Sequence, residues 1–65
     1  MDLKIRNATQ DQWASVADMA RTNVGLLERK GVRHGVGLVR WGVPVYLYLT
    51  ESGTVVAYVD NSDKD

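Results

Sequence analysis

The chain has 65 residues, no cysteine and one histidine, and eight acidic and eight basic side chains give it a formal net charge of zero. This length allows one small domain, and the absence of cysteine excludes disulfides and thiolate metal sites. Because a domain this small buries only roughly 60% of its unfolded surface, we expect self-association as a homodimer.

The first residues predict a short strand and no targeting segment. Leu3 and Ile5 alternate with Lys4 and Arg6, which is typical of a half-buried strand. The N-terminus lacks the apolar core of a signal peptide, and no apolar run approaches the length of a membrane span. We therefore expect a cytoplasmic protein with no membrane partner.

A long helical segment is predicted next. Thr9 followed by Gln12 has the pattern of a capping box. Apolar residues then recur every three or four positions and predict one buried stripe, formed by Trp13, Val16, Ala17, Ala20, Val24 and Leu27. Gly31, directly after Arg29 and Lys30, is typical of a helix end.

The continuity of this helix is open at the sequence level. Thr22, Asn23 and Gly25 are weaker helix formers than their neighbours, so the helix is either one long element or two short ones. Two short helices would resemble a helix-turn-helix, although a typical turn of that kind has glycine where this chain has Arg21 or Thr22.

Three strands joined by two tight turns are predicted after the helix. Trp41 and Gly42 form the first turn and Gly53 belongs to the second, with alternating apolar residues between them. Pro44 cannot donate a ladder hydrogen bond, so it belongs at a strand start or on an edge. Turns this short imply antiparallel pairing.

The predicted fold class is α+β, with a short N-terminal strand, one long or broken helix, and a three-stranded antiparallel meander packed on the helix. Residues 1–60 form the single domain, and residues 61–65 are expected to be a frayed acidic tail.

Aromatic residues are predicted on the sheet face that points away from the helix. Tyr46 and Tyr48 alternate with the residues expected to meet the helix, and Tyr58 lies on the following strand. Soluble monomers seldom leave a broad aromatic face open, so these three tyrosines are a candidate protein interface. The alternative is a ladder of half-exposed rings with their hydroxyls in water.

Positive charge is concentrated in the middle of the chain. Residues 21–40 contain five basic residues and one acidic residue, whereas residues 41–65 contain one basic and four acidic residues. Such a distribution can steer an anionic partner toward one region of the surface. Ordinary solvated side chains are the alternative interpretation.

Catalytic signatures are weak. His34 is the only imidazole, and no nucleophile with an oriented base can be assembled around it. The helix, three strands and single histidine resemble small messenger-cleaving toxins of the double-stranded-RNA-binding type, but His34 lies at the helix end instead of in a middle strand. We expect a surface loop histidine, no enzyme activity and no cofactor.

Residues 20–49 resemble the prevent-host-death (Phd/YefM) antitoxin pattern. That family typically shows an Ala-Arg pair, an Asn-Leu pair, a Leu-Leu helix end, a glycine turn and an Arg-x-Gly-x-Pro-Val-x-x-Leu hairpin. The matching residues here are Ala20-Arg21, Asn23-Val24, Leu26-Leu27-Glu28-Arg29, Gly35, and Arg40 to Val45 with Leu47. The hairpin is the most specific part.

The resemblance implies a dimeric protein that binds duplex DNA, represses its own operon and neutralises a partner toxin. The residues it assigns to DNA contact are Arg21, Asn23, Arg29, Lys30, Arg33 and Arg40. The chain departs from the family pattern in three respects. The N-terminal strand lies too far upstream of Arg21, a fourth strand is expected in place of the following helix, and we expect the acidic tail to be too short to wrap a toxin. The alternative function is a small protein-binding or inhibitory module of phage or plasmid type that uses the three tyrosines.

Overall fold

The elements follow one another in the predicted order. The computed structural model describes residues 2–61, which form β1 (Asp2–Arg6), α1 (Gln10–Lys30), β2 (Val36–Arg40), β3 (Val43–Leu49) and β4 (Thr54–Val59). The α+β fold class predicted from the sequence is confirmed.

The four strands form one sheet in the order β1-β4-β3-β2. The last three strands are the predicted antiparallel meander, with β3 between β2 and β4. β1 pairs in parallel with β4, and Ile5 lies opposite Ala57. This parallel pairing, which no local sequence pattern predicts, brings the N-terminal strand onto the same sheet as the tyrosines.

α1 is one continuous helix, so the helix-turn-helix alternative is wrong. The Thr9 hydroxyl accepts from the Gln12 amide at 3.3 Å, and the Gln12 side chain accepts from the Thr9 amide at 2.9 Å, which confirms the capping box. Buried Ala20 and Leu27 lie on either side of the weak helix formers. Their packing against the sheet outweighs the local propensities. The Gly31 amide closes the helix by donating to Leu27 O at 3.0 Å, with φ at 95°.

The core lies between α1 and the covered face of the sheet. Its buried members are Val16, Met19, Ala20 and Leu27 from the helix and Val45, Leu47, Val55, Ala57 and Val59 from the strands. Trp13 is 49% exposed and does not belong to it, which corrects the predicted stripe. Gln12 contacts Asn61, beyond the end of β4, so this turn of the helix extends past the sheet.

The turns have the backbone that their residues predict. Arg40 pairs with Val43, and the two loop residues Trp41 and Gly42 have φ of 55° and 76°. Positive φ at both loop positions is the requirement of a type I′ turn. Pro44 is the second residue of β3, and its carbonyl accepts from the Asp60 amide at 2.9 Å, as expected for a strand start.

The end of the described chain is held by side-chain hydrogen bonds. The Asn61 amide group donates to Asn7 O at 2.7 Å and to Gln12 Oε1 at 2.8 Å. Residues 62–65 of the predicted tail lie outside the described residues. Over residues 2–61, no helix combines the length and the apolar character needed to cross a membrane.

Candidate binding surfaces

The six residues predicted to contact DNA fall into two separate groups. Arg29 and Lys30 are exposed in the last turn of α1, and Arg33 follows in the loop to β2. Arg33 Nη2 lies 3.5 Å from Glu51 Oε2, across the turn between β3 and β4. We call these three basic residues the helix-end group.

The second group lies along the middle of α1. Arg21 Nη1 is 3.0 Å from Asp18 Oδ1, and the Asn23 side chain donates to Met19 O within its own helix at 2.7 Å. Arg40, at the end of β2, lines a cavity of about 330 Å³ together with Asp18 and Asn23. The side-chain amide group of Asn23 therefore already donates one hydrogen bond within the protein.

The two groups lie at opposite ends of β3. The Arg33 amide donates to Leu49 O at 3.1 Å, whereas Arg40 pairs with Val43. Six residue steps separate Val43 from Leu49, which at 3.4 Å per residue is about 20 Å. The basic residues of the middle of the sequence therefore lie in two separate places in the fold. Two of their charges are paired, Arg21 with Asp18 and Arg33 with Glu51.

The three tyrosines, by contrast, lie together on the sheet face that α1 leaves uncovered. Tyr46 and Tyr58 are cross-strand partners on β3 and β4, with ring centroids 6.3 Å apart and ring planes 23° from parallel. Tyr48 lies opposite Val56, which is only 5% exposed. The three tyrosines are 37–46% exposed and Val56 is buried, so these side chains cover Val56 and still present surface to solvent.

Two basic residues that are not among the predicted site residues, Lys4 and Arg6, lie beside these tyrosines. In the parallel pair, Arg6 is opposite Tyr58 and Lys4 is opposite Val56. Both side chains are exposed, and neither forms an ion pair with any other described residue. Two rows therefore cross the sheet, Arg6–Tyr58–Tyr46 and Lys4–Val56–Tyr48. We call the surface made by these two rows the tyrosine face.

The surroundings of the tyrosine face add one apolar and one acidic side chain. Val39 of β2, opposite Pro44, is 73% exposed. Asp2 lies on the same side of β1 as Lys4, one row further along and opposite Thr54. The margin at β1 is thus basic at Lys4 and Arg6 and acidic only at its beginning.

A shallow cavity of about 370 Å³ adjoins Tyr48. It is lined by Val32, Arg33, Tyr48, Leu49, Thr50, Glu51 and Ser52. The hydroxyls of Thr50 and Ser52 are 2.9 Å apart, and the Thr50 hydroxyl also accepts from the Thr54 amide at 3.1 Å. These hydroxyls are used to close the turn between β3 and β4, which leaves Arg33, Glu51 and Tyr48 as the other polar side chains of the cavity.

His34 is exposed in the loop between α1 and β2, where its amide donates to Gly31 O at 3.3 Å. In the described part of the chain, no three His, Asp or Glu side chains are grouped closely enough to hold a metal ion.

Comparison of the chain with protein-family models, with curated proteins and with solved structures finds no match. The resemblance to Phd/YefM antitoxins therefore stays a prediction.

Proposed function

We propose that this chain is a non-enzymatic binding module whose working surface is the tyrosine face. The observation that supports this proposal is the assembly of Tyr46, Tyr48 and Tyr58 on one open side of the sheet. Tyrosine is enriched in the centres of binding interfaces because its ring buries a large area at a low cost in conformational entropy. The alternative function predicted from the sequence, a protein-binding module, uses this same surface.

The fold uses the three tyrosines only in part. Each is more than one-third exposed, and Val56 is the one buried residue on their side of the described sheet, because the core cluster lies on the other side. Cross-strand pairs such as Tyr46 with Tyr58 stabilise a sheet by roughly 0.2–1 kcal/mol. Folding alone therefore gives a weak reason for three adjacent aromatic rings.

The proposal is tested by comparing two double variants. Tyr46→Ser with Tyr58→Ser removes the stacked pair, whereas Arg29→Ala with Lys30→Ala removes two charges of the helix-end group and serves as the matched surface control. Each immobilised protein is exposed to a cell lysate, and bound protein and bound nucleic acid are quantified separately. We expect the tyrosine variant to lose most of the protein or nucleic acid that the wild type binds. The control variant should bind as much as the wild type. Circular dichroism establishes that both variants fold.

A loss of bound material that is confined to Arg29→Ala with Lys30→Ala would contradict the proposal. It would favour a second candidate function. As this second candidate we propose a dimeric DNA-binding regulator with a partner toxin. The antitoxin resemblance implies this function. It is supported by Arg29 and Lys30, which are exposed at one helix end and form no ion pair with another residue of the described range. This candidate predicts duplex-DNA affinity that falls with salt at a log-log slope of about −0.9 per neutralised phosphate.

A further inference from the structure

We propose that the partner held on the tyrosine face is a single-stranded nucleic acid. This inference rests on the proposed function, because it names the class of molecule that the same surface binds.

Aromatic rings and basic side chains share this surface in the arrangement that a single strand requires. Bases stack on aromatic side chains with little sequence preference because every base has a flat π face, while basic residues neutralise the phosphates. Tyr58 and Tyr46 supply two nearly parallel rings, and Arg6 completes their row at the β1 side. The bases would lie across β4 and β3, and the sugar-phosphate backbone along β1.

The charges at β1 complement that backbone. Lys4 and Arg6 are two residues apart on one side of the strand, which separates their Cα atoms by about 7 Å. Because neither forms an ion pair within residues 2–61, a phosphate would not have to displace a protein carboxylate. Asp2, at the beginning of the same margin, would repel a strand that extended further in that direction.

The size of the surface favours a nucleic-acid strand over a protein. The tyrosine face consists of six residues, in two rows that cross three strands. A specific protein interface typically involves about 20–30 residues and buries about 800 Å² on each partner. A few nucleotides need far less area, because each stacked base is held by one ring.

A duplex is a poorer occupant than a single strand. Stacked and paired bases inside a duplex do not expose their π faces to side chains, so the tyrosine rings could not stack on them. The geometry therefore favours oligonucleotides whose bases are unpaired, whether DNA or RNA.

The test is a fluorescence-anisotropy titration with labelled oligo(dT), labelled oligo(U) and a labelled mixed-sequence duplex over a series of salt concentrations. We expect a single strand to bind with a log-log salt slope of about −1.4, the value for two phosphate contacts at about −0.7 each. The duplex should bind more weakly. The comparison of oligo(dT) with oligo(U) tells whether the 2′-hydroxyl contributes.

Five variants locate the binding. Tyr46→Ser should weaken it about tenfold because it removes one stacking ring, whereas Tyr46→Phe should retain it. Lys4→Gln with Arg6→Gln should weaken binding and abolish most of its salt dependence, and Asp2→Asn should strengthen it. Arg29→Ala with Lys30→Ala, at the helix end, should leave it unchanged.

Three results would overturn the inference, and they affect the proposed function differently. If neither oligonucleotide binds at low salt but Tyr46→Ser with Tyr58→Ser loses a captured protein, the inference fails and the proposed function stands. If single strands bind the wild type and that tyrosine variant equally, the strand is held elsewhere. The inference then fails, and the lysate-capture comparison alone decides the proposed function. If the duplex binds best and the helix-end variant loses it, both fail.

Discussion

At the scale of single residues, Gly35 is the position where the structure leaves no room for a side chain. A Cβ atom there would lie 2.6 Å from Leu47 O and 3.3 Å from Tyr48 Cβ. Gly35→Ala must therefore push the start of β2 away from β3 and displace Tyr48. We expect a loss of about 1–3 kcal/mol in the free energy of unfolding, measured by urea denaturation.

Gly37 provides the matched control. It lies on β2 opposite Tyr46, and a Cβ atom there would meet nothing within 4 Å. Gly37→Ala should leave stability unchanged or raise it by about 0.5 kcal/mol, since alanine restricts the unfolded chain. Equal losses of unfolding free energy for Gly35→Ala and Gly37→Ala would show that the close approach at Gly35 does not cause the destabilisation.

At the scale of elements, the Gln12 side chain links the N-terminus of α1 to the segment that follows β4. Gln12 forms half of the capping box with Thr9, and its amide group also exchanges hydrogen bonds with Asn61. Gln12→Ala should therefore cost about 2 kcal/mol of unfolding free energy, more than the about 1 kcal/mol expected for Thr9→Ala. Thermal or urea denaturation of both variants measures the difference.

A double-mutant cycle between Gln12 and Asn61 isolates the contact beyond the cap. We expect a coupling energy of about 0.5–1 kcal/mol, because each amide group loses a hydrogen-bond partner when the other is removed. If the losses in unfolding free energy for Gln12→Ala and Asn61→Ala add without a coupling energy, the contact between these two side chains does not contribute to stability.

The elements also separate what local sequence could predict from what it could not. The capping box and the turns at Gly42 and Gly53 depend on neighbouring residues, so the sequence was sufficient for the helix start and the meander. The pairing of Ile5 with Ala57 joins residues 52 positions apart, and no local pattern encodes it. The sequence therefore indicated the tyrosines of the candidate site but not Lys4 and Arg6 beside them.

The predicted DNA-contact residues illustrate the same limit. A cluster of basic residues in the sequence became two groups in space, because a β-hairpin carries Arg40 about 20 Å from Arg33. The sequence also could not predict that Trp13 is exposed, because helical periodicity does not tell where the sheet beneath the helix ends.

At the scale of the whole molecule, the two sides of the sheet have different roles. One side is sealed by α1 and supplies the core, and the other carries the tyrosine face. The homodimer predicted from the sequence stays a prediction. The tyrosine face consists of six residues, whereas a typical specific interface involves about 20–30 residues on each partner.

Binding of a single strand on the tyrosine face is tested by a backbone-amide chemical-shift map, recorded by NMR while oligo(dT) or oligo(U) is added. We expect the largest shift changes on residues 4–6, 46–48 and 56–58, which form the rows of the tyrosine face. Changes centred on residues 29–33, or no changes at oligonucleotide concentrations well above that of the protein, would contradict it.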